Sequence, residues 1–469
     1  MSTLIVAAAL SLSACAGMDA WTQGVHADDL DSGAPSGSNA SVLQFDGAPP
    51  RNVLMISMDT FQAARLGRYY GGDHTAFLDT LLEDGVALDN HRSCSNWTYS
   101  SVLCVLSGQD NIESGFVPYA ASGQEGTPQQ TMAPAPDEMA FLTDVLGDHG
   151  YVTGLVSSNT FLSKSLGLVS MDTHQVADGS MNAADVVDEG LAMFDEHMRD
   201  GEAPWFLQLH FIDPHDPYDP PDGFRAGLAE LDPIGWDLAD RDDLQELAAS
   251  WDRLSARDRQ LVQDHARVLY HGEIAYMDSE IEGLFRKLEV RGALDDTLVV
   301  LWSDHGEQFW EHGEITHGLD LFLEETASIG GLWTLSGDLG GPGLAPAAWA
   351  TPTTHVDLHA AAMQGISQRA VDGVSAVLVG DEPDPDRTLS MLRYHLRDDP
   401  SLHAIEQSGW RYHVYWDGRS GLYDVSSDPD ELVDRSVDEA ERAAEMRALL
   451  APQIQALAEL KGIEPPEGF

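Results

Sequence analysis

One apolar run that ends in a polar cluster constrains this chain more than any other stretch. Residues 298–302 read Leu-Val-Val-Leu-Trp, and Ser303, Asp304, His305 and Gly306 follow directly. A run that is apolar at every position predicts a strand buried on both faces of a parallel sheet. Open α/β sheets bind ligands at the carboxyl ends of their strands, so Asp304 and His305 are candidate ligands for a cation. On its own, the pair could equally be an ordinary polar turn.

The charge balance excludes whole classes of partner. The 469 residues include 25 Lys and Arg against 78 Asp and Glu, which gives a formal net charge of −53. Such a surface repels nucleic acids and anionic lipid headgroups. It suits a salty environment, where a short screening length makes the self-repulsion tolerable. The length allows one large α/β domain and a smaller appended unit.

The N-terminus predicts export. Leu4 to Ala14 is apolar but too short to span a bilayer, and it suits the core of a signal peptide. Small residues before Cys15 resemble the bacterial lipoprotein box, in which Cys15 becomes lipidated. Residues 1–3 contain no Lys or Arg, so a plain signal peptide or an unprocessed apolar N-terminus stays open. We predict a signal peptide with lipobox at 1–15, a flexible linker at 16–50, and a bacterial cell-envelope lipoprotein that contacts the membrane only through Cys15.

The remaining chain alternates strand-like and helix-like segments. Strands are predicted at 52–58, 151–157, 205–212 and from 298, with helices at 75–83, 137–149 and 183–199 and two more within 238–290. Residues 96–108 are predicted to form a turn that enters a helix, which stops at Gly108. This order predicts an α/β fold with a large, mostly parallel sheet sandwiched by helices. The segment from 337 to 352 is rich in Gly and Pro, and we expect a surface linker at 381–386. We therefore predict a catalytic domain at 51–381 and a small C-terminal α+β subdomain at 387–469. Strands at 388–394 and 410–416 and a helix at 437–460 would form that subdomain.

Polar residues follow several of these apolar runs. Asp59 ends the first strand, Asp213 and His215 follow the third, and Thr98 stands where a turn enters a helix. Two carboxylates, an imidazole and a hydroxyl make an oxygen-rich site for a divalent cation. A hydroxyl at a helix N-terminus is also well placed to attack an anionic ester. The alternative for Thr98 is an ordinary helix N-cap.

With these residues assembled, the chain resembles the sulfatases, a family of the alkaline phosphatase superfamily, from Asn52 onward. The motifs that carry the resemblance are 57–60 (SMDT), 96–108 (NWTYSSVLCVLSG), 210–218 (HFIDPHDPY), 293–297 (ALDDT), 303–307 (SDHGE) with 317–318 (HG), and 422–432 (LYDVSSDPDEL).

The resemblance implies a role for each matching residue. Asp59, Thr98, Asp304 and His305 would hold one divalent metal ion, which is calcium in the family, although an imidazole ligand also suits manganese or zinc. Thr98 would be the nucleophile as well as a ligand. His215 and His317 would be catalytic, contacting the substrate and the leaving group.

Four further residues have weaker assignments. Asn159 and Thr160 stand where many sulfatases hold the sulfate with Lys and His, and they are predicted substrate-binding residues, with simple turn residues as the alternative. Glu307 and His312 are expected to support the site or to lie on the surface.

The nucleophile departs from the family pattern. Active sulfatases carry a Cys or Ser that becomes formylglycine, with Pro two and Arg four residues further on, whereas this chain has Thr98, Ser100 and Val102. Cys94 and Cys104 lie outside that motif, as one disulfide or as two free thiols. A formylglycine hydrate expels sulfate by reforming its carbonyl, but a Thr ester must be hydrolysed by water.

The sequence thus predicts a metal-dependent hydrolase of sulfate or phosphate and phosphonate esters, acting on an anionic small molecule or glycan. The Thr nucleophile favours phosphoryl or phosphonyl transfer, whereas the family resemblance favours sulfate. The alternatives are an inactive sulfatase-fold binding protein and a phosphoryl transferase.

Overall fold

The computed structural model describes residues 43, 45, 49–116, 119–122, 129–132, 134–136, 139–167, 171–366, 384–393 and 402–469. The predicted signal peptide with Cys15 lies outside the described residues, as do nearly all of the predicted linker and the proposed domain end at 381. Among the helices that are described, none combines the length and the apolar character needed to cross a membrane.

The described strands and helices follow the predicted alternation. The strands are β1 Asn52–Met58, β2 Val86–Leu88, β3 His91–Arg92, β4 Tyr119–Ser122, β5 Gln129–Met132, β6 Val152–Ser157, β7 Thr173–Val176, β8 Trp205–Phe211, β9 Thr297–Ser303, β10 Gln308–Phe309, β11 Ile315–Thr316, β12 Gly330–Trp333, β13 Ala347–Trp349, β14 Thr353–Thr354, β15 Leu389–Arg393, β16 Leu402–Gln407, β17 Trp410–Tyr415 and β18 Ser420–Asp424. The helices are α1 Gly67–Tyr70, α2 Ala76–Asp84, α3 Thr98–Ser107, α4 Leu142–Asp148, α5 Ala183–His197, α6 Arg241–Ser250, α7 Ala256–Val290, α8 Leu323–Thr326, α9 His355–Ile366 and α10 Ala440–Lys461.

The central sheet has eight strands in the order β13-β2-β12-β9-β1-β8-β6-β7. Strand β1 lies between β9 and β8 and is parallel to both. Strands β6 and β7 continue the parallel arrangement on one side, whereas β12 is antiparallel to β9 and to β2 on the other. The predicted α/β class with a mostly parallel sheet is confirmed.

Two hydrophobic cores cover the two faces of this sheet. Along β1, Leu54 and Ile56 belong to one core, while Val53 and Met55 belong to the other, because successive side chains point to opposite faces. Helices α2, α5, α6 and α7 contribute buried side chains to the first core, and α3, α4 and α9 contribute to the second. The sheet is thus sandwiched between two layers of helices.

The C-terminal subdomain is a separate antiparallel sheet in the order β15-β16-β17-β18, packed against α10. Its buried Arg411 reaches the main domain, where the guanidinium donates to the carbonyl of Leu321 and to Oγ1 of Thr326. Strands β15 and β17 and helix α10 match the prediction to within three residues at each end, and the expected α+β character is confirmed. Strands β16 and β18 were not predicted.

Some predicted elements differ in extent. The helix expected from residue 137 begins at Leu142, while residues 139–141 are extended or irregular and residues 137 and 138 lie outside the described part. The Gly/Pro-rich region at 337–352 contains the short strand β13, which joins the central sheet beside β2. Strand β12 was also missed, because two of its four residues are glycines.

Candidate active site

The register of the central strands brings the predicted metal ligands together. Met58, the last residue of β1, pairs with Ser303 of β9 and with Phe211 of β8. The amide of Asp59 donates to the carbonyl of Phe211 at 2.9 Å, and the amide of Asp304 donates to the carbonyl of Met58 at 3.2 Å. Asp59 and Asp304 therefore leave adjacent strands at the same level of the carboxyl edge.

Each of these two buried carboxylates uses one oxygen and leaves the other free. Oδ1 of Asp304 accepts from the amides of Thr60 at 3.1 Å and His305 at 2.8 Å. Oδ2 of Asp59 accepts from Nδ2 of Asn159 at 2.7 Å. Oδ1 of Asp59 and Oδ2 of Asp304 have no hydrogen-bond partner among the described residues, although both side chains are fully buried. Buried carboxylate oxygens without a donor are the expected ligands of a cation.

His305 supplies the third candidate ligand atom, because a hydrogen bond of one ring nitrogen leaves the other nitrogen available to a cation. Nδ1 donates to the carbonyl of Gly306 at 2.8 Å, so the lone pair of Nε2 points elsewhere. Nε2 lies 3.8 Å from Oδ1 of Asp59 and 3.5 Å from Oδ2 of Asp304. The three donor atoms are thus close enough to bind one ion, and two carboxylates with a neutral imidazole fit a divalent cation.

Thr98 lies beside this cluster at the start of α3. The N-cap of the helix is Trp97, and no side chain makes a cap hydrogen bond, so the N-cap alternative for Thr98 is wrong. Oγ1 of Thr98 is 3.4 Å from Nε2 of His305 and 3.4 Å from Nδ2 of Asn159. The hydroxyl therefore faces the unpaired ligand atoms and is buried with them.

Burial and neighbouring charges shift the pKa values of the residues in this cluster. Burial and the negative charge of Asp59 raise the pKa of Asp304 to about 7. Burial also acts to raise the pKa of Asp59, but the imidazoles of His215, His210 and His305 outweigh it and hold that pKa below its ordinary value. Burial lowers the pKa of His305 to about 4, so its ring is neutral at pH 7. A cation between the carboxylates would relieve their mutual repulsion.

His215 and His317 lie together at the mouth of the site. Their ring centroids are 4.8 Å apart, and the ring of His317 lies 4.5 Å from that of His305. Burial acts to lower the pKa of His215, but the carboxylates of Asp59, Asp216 and Glu307 outweigh it and raise that pKa. Nδ1 of His317 lies 3.1 Å from Oε1 of Glu307, which makes Glu307 a buried support of the site.

The other predicted site residues have separate surroundings. Asn159 has its amide engaged by the protein, because Oδ1 accepts from the amide of Phe161 at 2.9 Å while Nδ2 contacts the cluster. Thr160 is exposed at the start of a short 3₁₀ turn. Asp213 is buried beside Glu273 of α7, and burial raises its pKa to about 6. His312 stacks on Phe322 with ring centroids 3.5 Å apart. Substrate binding by Asn159 and Thr160 stays a prediction.

The sequence reasoning missed His210 and Glu325. His210 places Nδ1 2.8 Å from Oγ of Ser57 and Nε2 3.3 Å from Oδ2 of Asp59, so it orients a predicted ligand. Its position opposite Ser57 near the end of a buried strand was the available signal. Glu325 is fully buried and receives the side chain of Asn96, two residues before Thr98. No sequence pattern pointed to it.

Cys94 and Cys104 are buried free thiols. Burial of Cys104 and its hydrogen bond with Cys94 raise the pKa of the Cys104 thiol well above its ordinary value. The alternative of two free thiols is therefore confirmed, and a protonated thiol of this kind is a poor nucleophile.

The fold and the cluster define an α/β protein with a candidate divalent-cation site at the carboxyl edge of a parallel sheet. The sequence profile of the sulfatase family matches residues 51–358. The chain belongs to the sulfatase family, and the resemblance inferred from its motifs is confirmed.

Curated relatives match only parts of the chain. A choline-sulfatase of Rhizobium meliloti (strain 1021) is 28% identical over 250 residues, which cover 50% of this chain and 47% of that protein. The human N-acetylgalactosamine-6-sulfatase is 31% identical over 113 residues, which cover 24% of this chain and 22% of that protein. The chain thus spans less than half the length of each of these relatives.

Solved structures match nearly the whole fold. A protein in complex with its substrate D-glucosamine-2-N,6-O-disulfate aligns with a TM-score of 0.66 at 16% identity, covering 90% of this chain and 100% of that chain. The phosphonate monoester hydrolase of Silicibacter pomeroyi aligns with a TM-score of 0.65 at 17% identity, covering 87% and 95%. At these identities the likeness establishes the shared fold.

Proposed function

We propose that this chain is a divalent-metal-dependent hydrolase of anionic esters, with Thr98 as the nucleophile. Asp59, Thr98, Asp304 and His305 would hold the metal ion. The observation that carries the proposal is the convergence of two unpaired buried carboxylate oxygens, Oδ1 of Asp59 and Oδ2 of Asp304, on His305, whose Nε2 contacts the Thr98 hydroxyl. Calcium is the family expectation, and manganese or zinc would also accept the imidazole.

The bound cation would supply positive charge that stabilises the ester anion and favours ionisation of a nearby hydroxyl. Oγ1 of Thr98 attacks the phosphorus or sulfur atom, held in place by His305 and Asn159. The carboxylates around His215 raise its pKa despite burial, which favours the protonated imidazole that a donor to the leaving oxygen requires. His317 lies against His215 and would contact the ester. Water then attacks the Thr98 ester and releases the acid.

Phosphate and phosphonate esters are the preferred substrates in this proposal. The adduct on Thr98 has no carbonyl to regenerate, so release depends on a second displacement at the central atom. Neither Cys94 nor Cys104 stands at the motif position of the aldehyde precursor, which Thr98 occupies. The similarity to a phosphonate monoester hydrolase is in keeping with this choice.

Sulfate esters form the second candidate class. The curated relatives include a choline-sulfatase and an N-acetylgalactosamine-6-sulfatase, so a small sulfated molecule or a sulfated glycan is the corresponding substrate. We propose export to a bacterial cell envelope for either class, with Cys15 as the lipid anchor.

The test is a pair of kcat/KM values on an aryl phosphodiester and an aryl sulfate with the same leaving group. We expect the phosphodiester to give the higher value, chelation to remove it, and Thr98→Ala to lower it at least about a thousandfold. Ser100→Ala is the matched control, because it removes a buried hydroxyl of the same helix that has no hydrogen-bond partner among the described residues.

Other outcomes separate the alternatives. A higher value for the sulfate that Thr98→Ala abolishes would overturn the substrate preference but keep the nucleophile. Binding of esters without turnover would support the inactive binding protein, and a product formed on an added alcohol in place of water would support the transferase.

A further inference from the structure

One arginine lies beyond the proposed proton donor, on the side where the leaving group would depart. Nδ1 of His215 donates to the carbonyl of Asp216 at 2.6 Å, which leaves the opposite ring nitrogen for the substrate. Nη2 of Arg241 donates to the same carbonyl at 3.3 Å and lies 3.4 Å from Oδ2 of Asp216. Arg241 is therefore separated by a single residue from the imidazole that would protonate the leaving oxygen.

The charge of Arg241 reaches the candidate site. Burial, the imidazole of His215 and the guanidinium of Arg241 all act to lower the pKa of His317, which falls to about 4 although the carboxylates of Asp216 and Asp59 oppose them. The rings of His317 and His215 lie against each other, with centroids 4.8 Å apart. A guanidinium whose charge is felt at His317 is close enough to interact with a substrate bound against these two histidines.

Arg241 is held loosely by the protein. Its two contacts, at 3.3 and 3.4 Å, exceed the roughly 2.7–2.9 Å of a charge-assisted hydrogen bond, and the side chain is 60% exposed. Arg65 provides the contrast, because Gln62 links it to the carbonyl of Glu307. Its Nε donates to Oε1 of Gln62 at 2.6 Å, and its side chain is only 16% exposed. An exposed ion pair contributes little to stability, so Arg241 can turn towards a ligand at little cost.

Acidic side chains on the same helix limit what Arg241 can attract. Asp240 caps α6, and its Oδ1 accepts from the amides of Asp242 at 2.9 Å and Asp243 at 3.1 Å. Asp240 and Asp242 are both exposed, and the whole chain carries a formal net charge of −53. A highly charged polyanion would be repelled by this surface. A single carboxylate can instead form a short, two-pronged pair with a guanidinium, and this pair acts only at contact distance.

We propose that Arg241 selects substrates whose leaving group carries one carboxylate, which the guanidinium binds while His215 protonates the ester oxygen. This inference rests on the proposed function and deepens it, because it names the leaving group as a small alcohol or phenol that bears a carboxylate. The pair would also hold the leaving group in a fixed orientation against His215.

The experiment compares two aryl methylphosphonate esters that differ in one substituent, a para-carboxyphenyl and a para-carbamoylphenyl leaving group. Each substrate is turned over by the metal-loaded wild type and by Arg241→Ala, so the reactivity of the leaving group cancels in each ratio. We expect Arg241→Ala to lower kcat/KM about tenfold for the carboxylate and less than about twofold for the carboxamide. Arg241→Lys should retain part of the preference, because it keeps the charge but loses the planar fork. Arg257→Ala removes an arginine that is 81% exposed and paired with Asp232, and as the control it should leave both values unchanged.

The possible outcomes separate this inference from the proposed function. Losses that are equal on the two substrates, or a gain of Arg241→Ala on the carboxylate, would overturn the inference while leaving the proposed function intact. Turnover of neither ester by the wild type would contradict the proposed function. Selectivity is then measured by calorimetry with the non-hydrolysable para-carboxybenzylphosphonate and para-carbamoylbenzylphosphonate. Tighter binding of the carboxylate that Arg241→Ala removes would uphold the inference, and equal affinities would overturn it.

Discussion

Glu325 should be essential for positioning both sides of the candidate site. Oε2 accepts from Nδ2 of Asn96 at 2.8 Å and from the amide of Gly318 at 2.7 Å. Oε1 accepts from the amide of Asp320 at 3.1 Å and from the side chain of Gln308. All four neighbours are N–H donors, and the carboxylate is fully buried. It joins the turn that precedes Thr98 to the loop that carries His317.

Glu325→Gln gives a loss that can be estimated from these contacts. The amide keeps one accepting oxygen, but its NH₂ group faces two donors and satisfies neither. Each lost buried hydrogen bond costs about 1–3 kcal/mol, so the free energy of unfolding should fall by about 2–6 kcal/mol. Because a shift of about 1 Å in a reacting group can cost about a hundredfold in rate, we expect kcat to fall at least tenfold in the protein that remains folded.

The assay is urea denaturation together with kcat on one ester, with Glu324→Gln as the matched control. The Glu324 carboxylate contacts His312 on the side of the C-terminal subdomain and makes none of the bonds described for Glu325. The control should retain kcat within about twofold, because it leaves the segments of Thr98 and His317 in place. If Glu325→Gln matches the wild type in both stability and kcat, the positioning argument is wrong.

Three further predictions address stability and the anchor. Arg411→Ala should lower the free energy of unfolding in urea by about 3–5 kcal/mol, because the buried guanidinium pairs with Glu406 at 3.2 Å. A loss below about 1 kcal/mol would contradict this prediction. Burial and Asp213 raise the pKa of Glu273 to about 9. The contribution of Glu273 to folded-state stability is therefore complete below the ordinary glutamate pKa and is lost as pH rises through about 9. Glu273→Gln should gain stability relative to the wild type between about pH 5 and pH 9. A stability difference that stays constant over this range would refute the prediction. Cys15→Ser should move the protein from membrane to soluble fractions of a bacterium, and unchanged partitioning would exclude the lipid anchor.

The sequence predicted the parts of the fold that strong local patterns determine. Strand β1 was predicted with its observed bounds and the start of β9 to within one residue, because both runs are apolar on both faces. Strand β16 was missed because His403 and Glu406 interrupt its apolar pattern, yet both are buried. Glu406 is compatible with burial only because Arg411 and Arg92 pair with it, and such long-range pairing leaves no local signal.

The candidate site likewise contains residues that local sequence patterns predicted and residues that they did not. Asp59, Asp304 and His305 were identified because each directly follows an apolar strand, and parallel strands bring their ends to one edge. The N-cap reading of Thr98 could be rejected only from the helix start, since a threonine suits both positions. His210 was passed over because a histidine inside an apolar strand suggests core packing, and its contact with Asp59 depends on the register of β8 against β1.

The most direct test of the account is to trap the bond that Thr98 is proposed to form. The metal-loaded protein is mixed with an activated aryl phosphonate or phosphodiester, quenched in acid during turnover, digested and mapped by mass spectrometry. The account predicts a phosphonyl or phosphoryl group on Thr98, absent when the chelator is present and absent in Thr98→Ala. Steady turnover with no modified Thr98 peptide, or a Thr98→Ala variant as active as the wild type, would contradict the central claim.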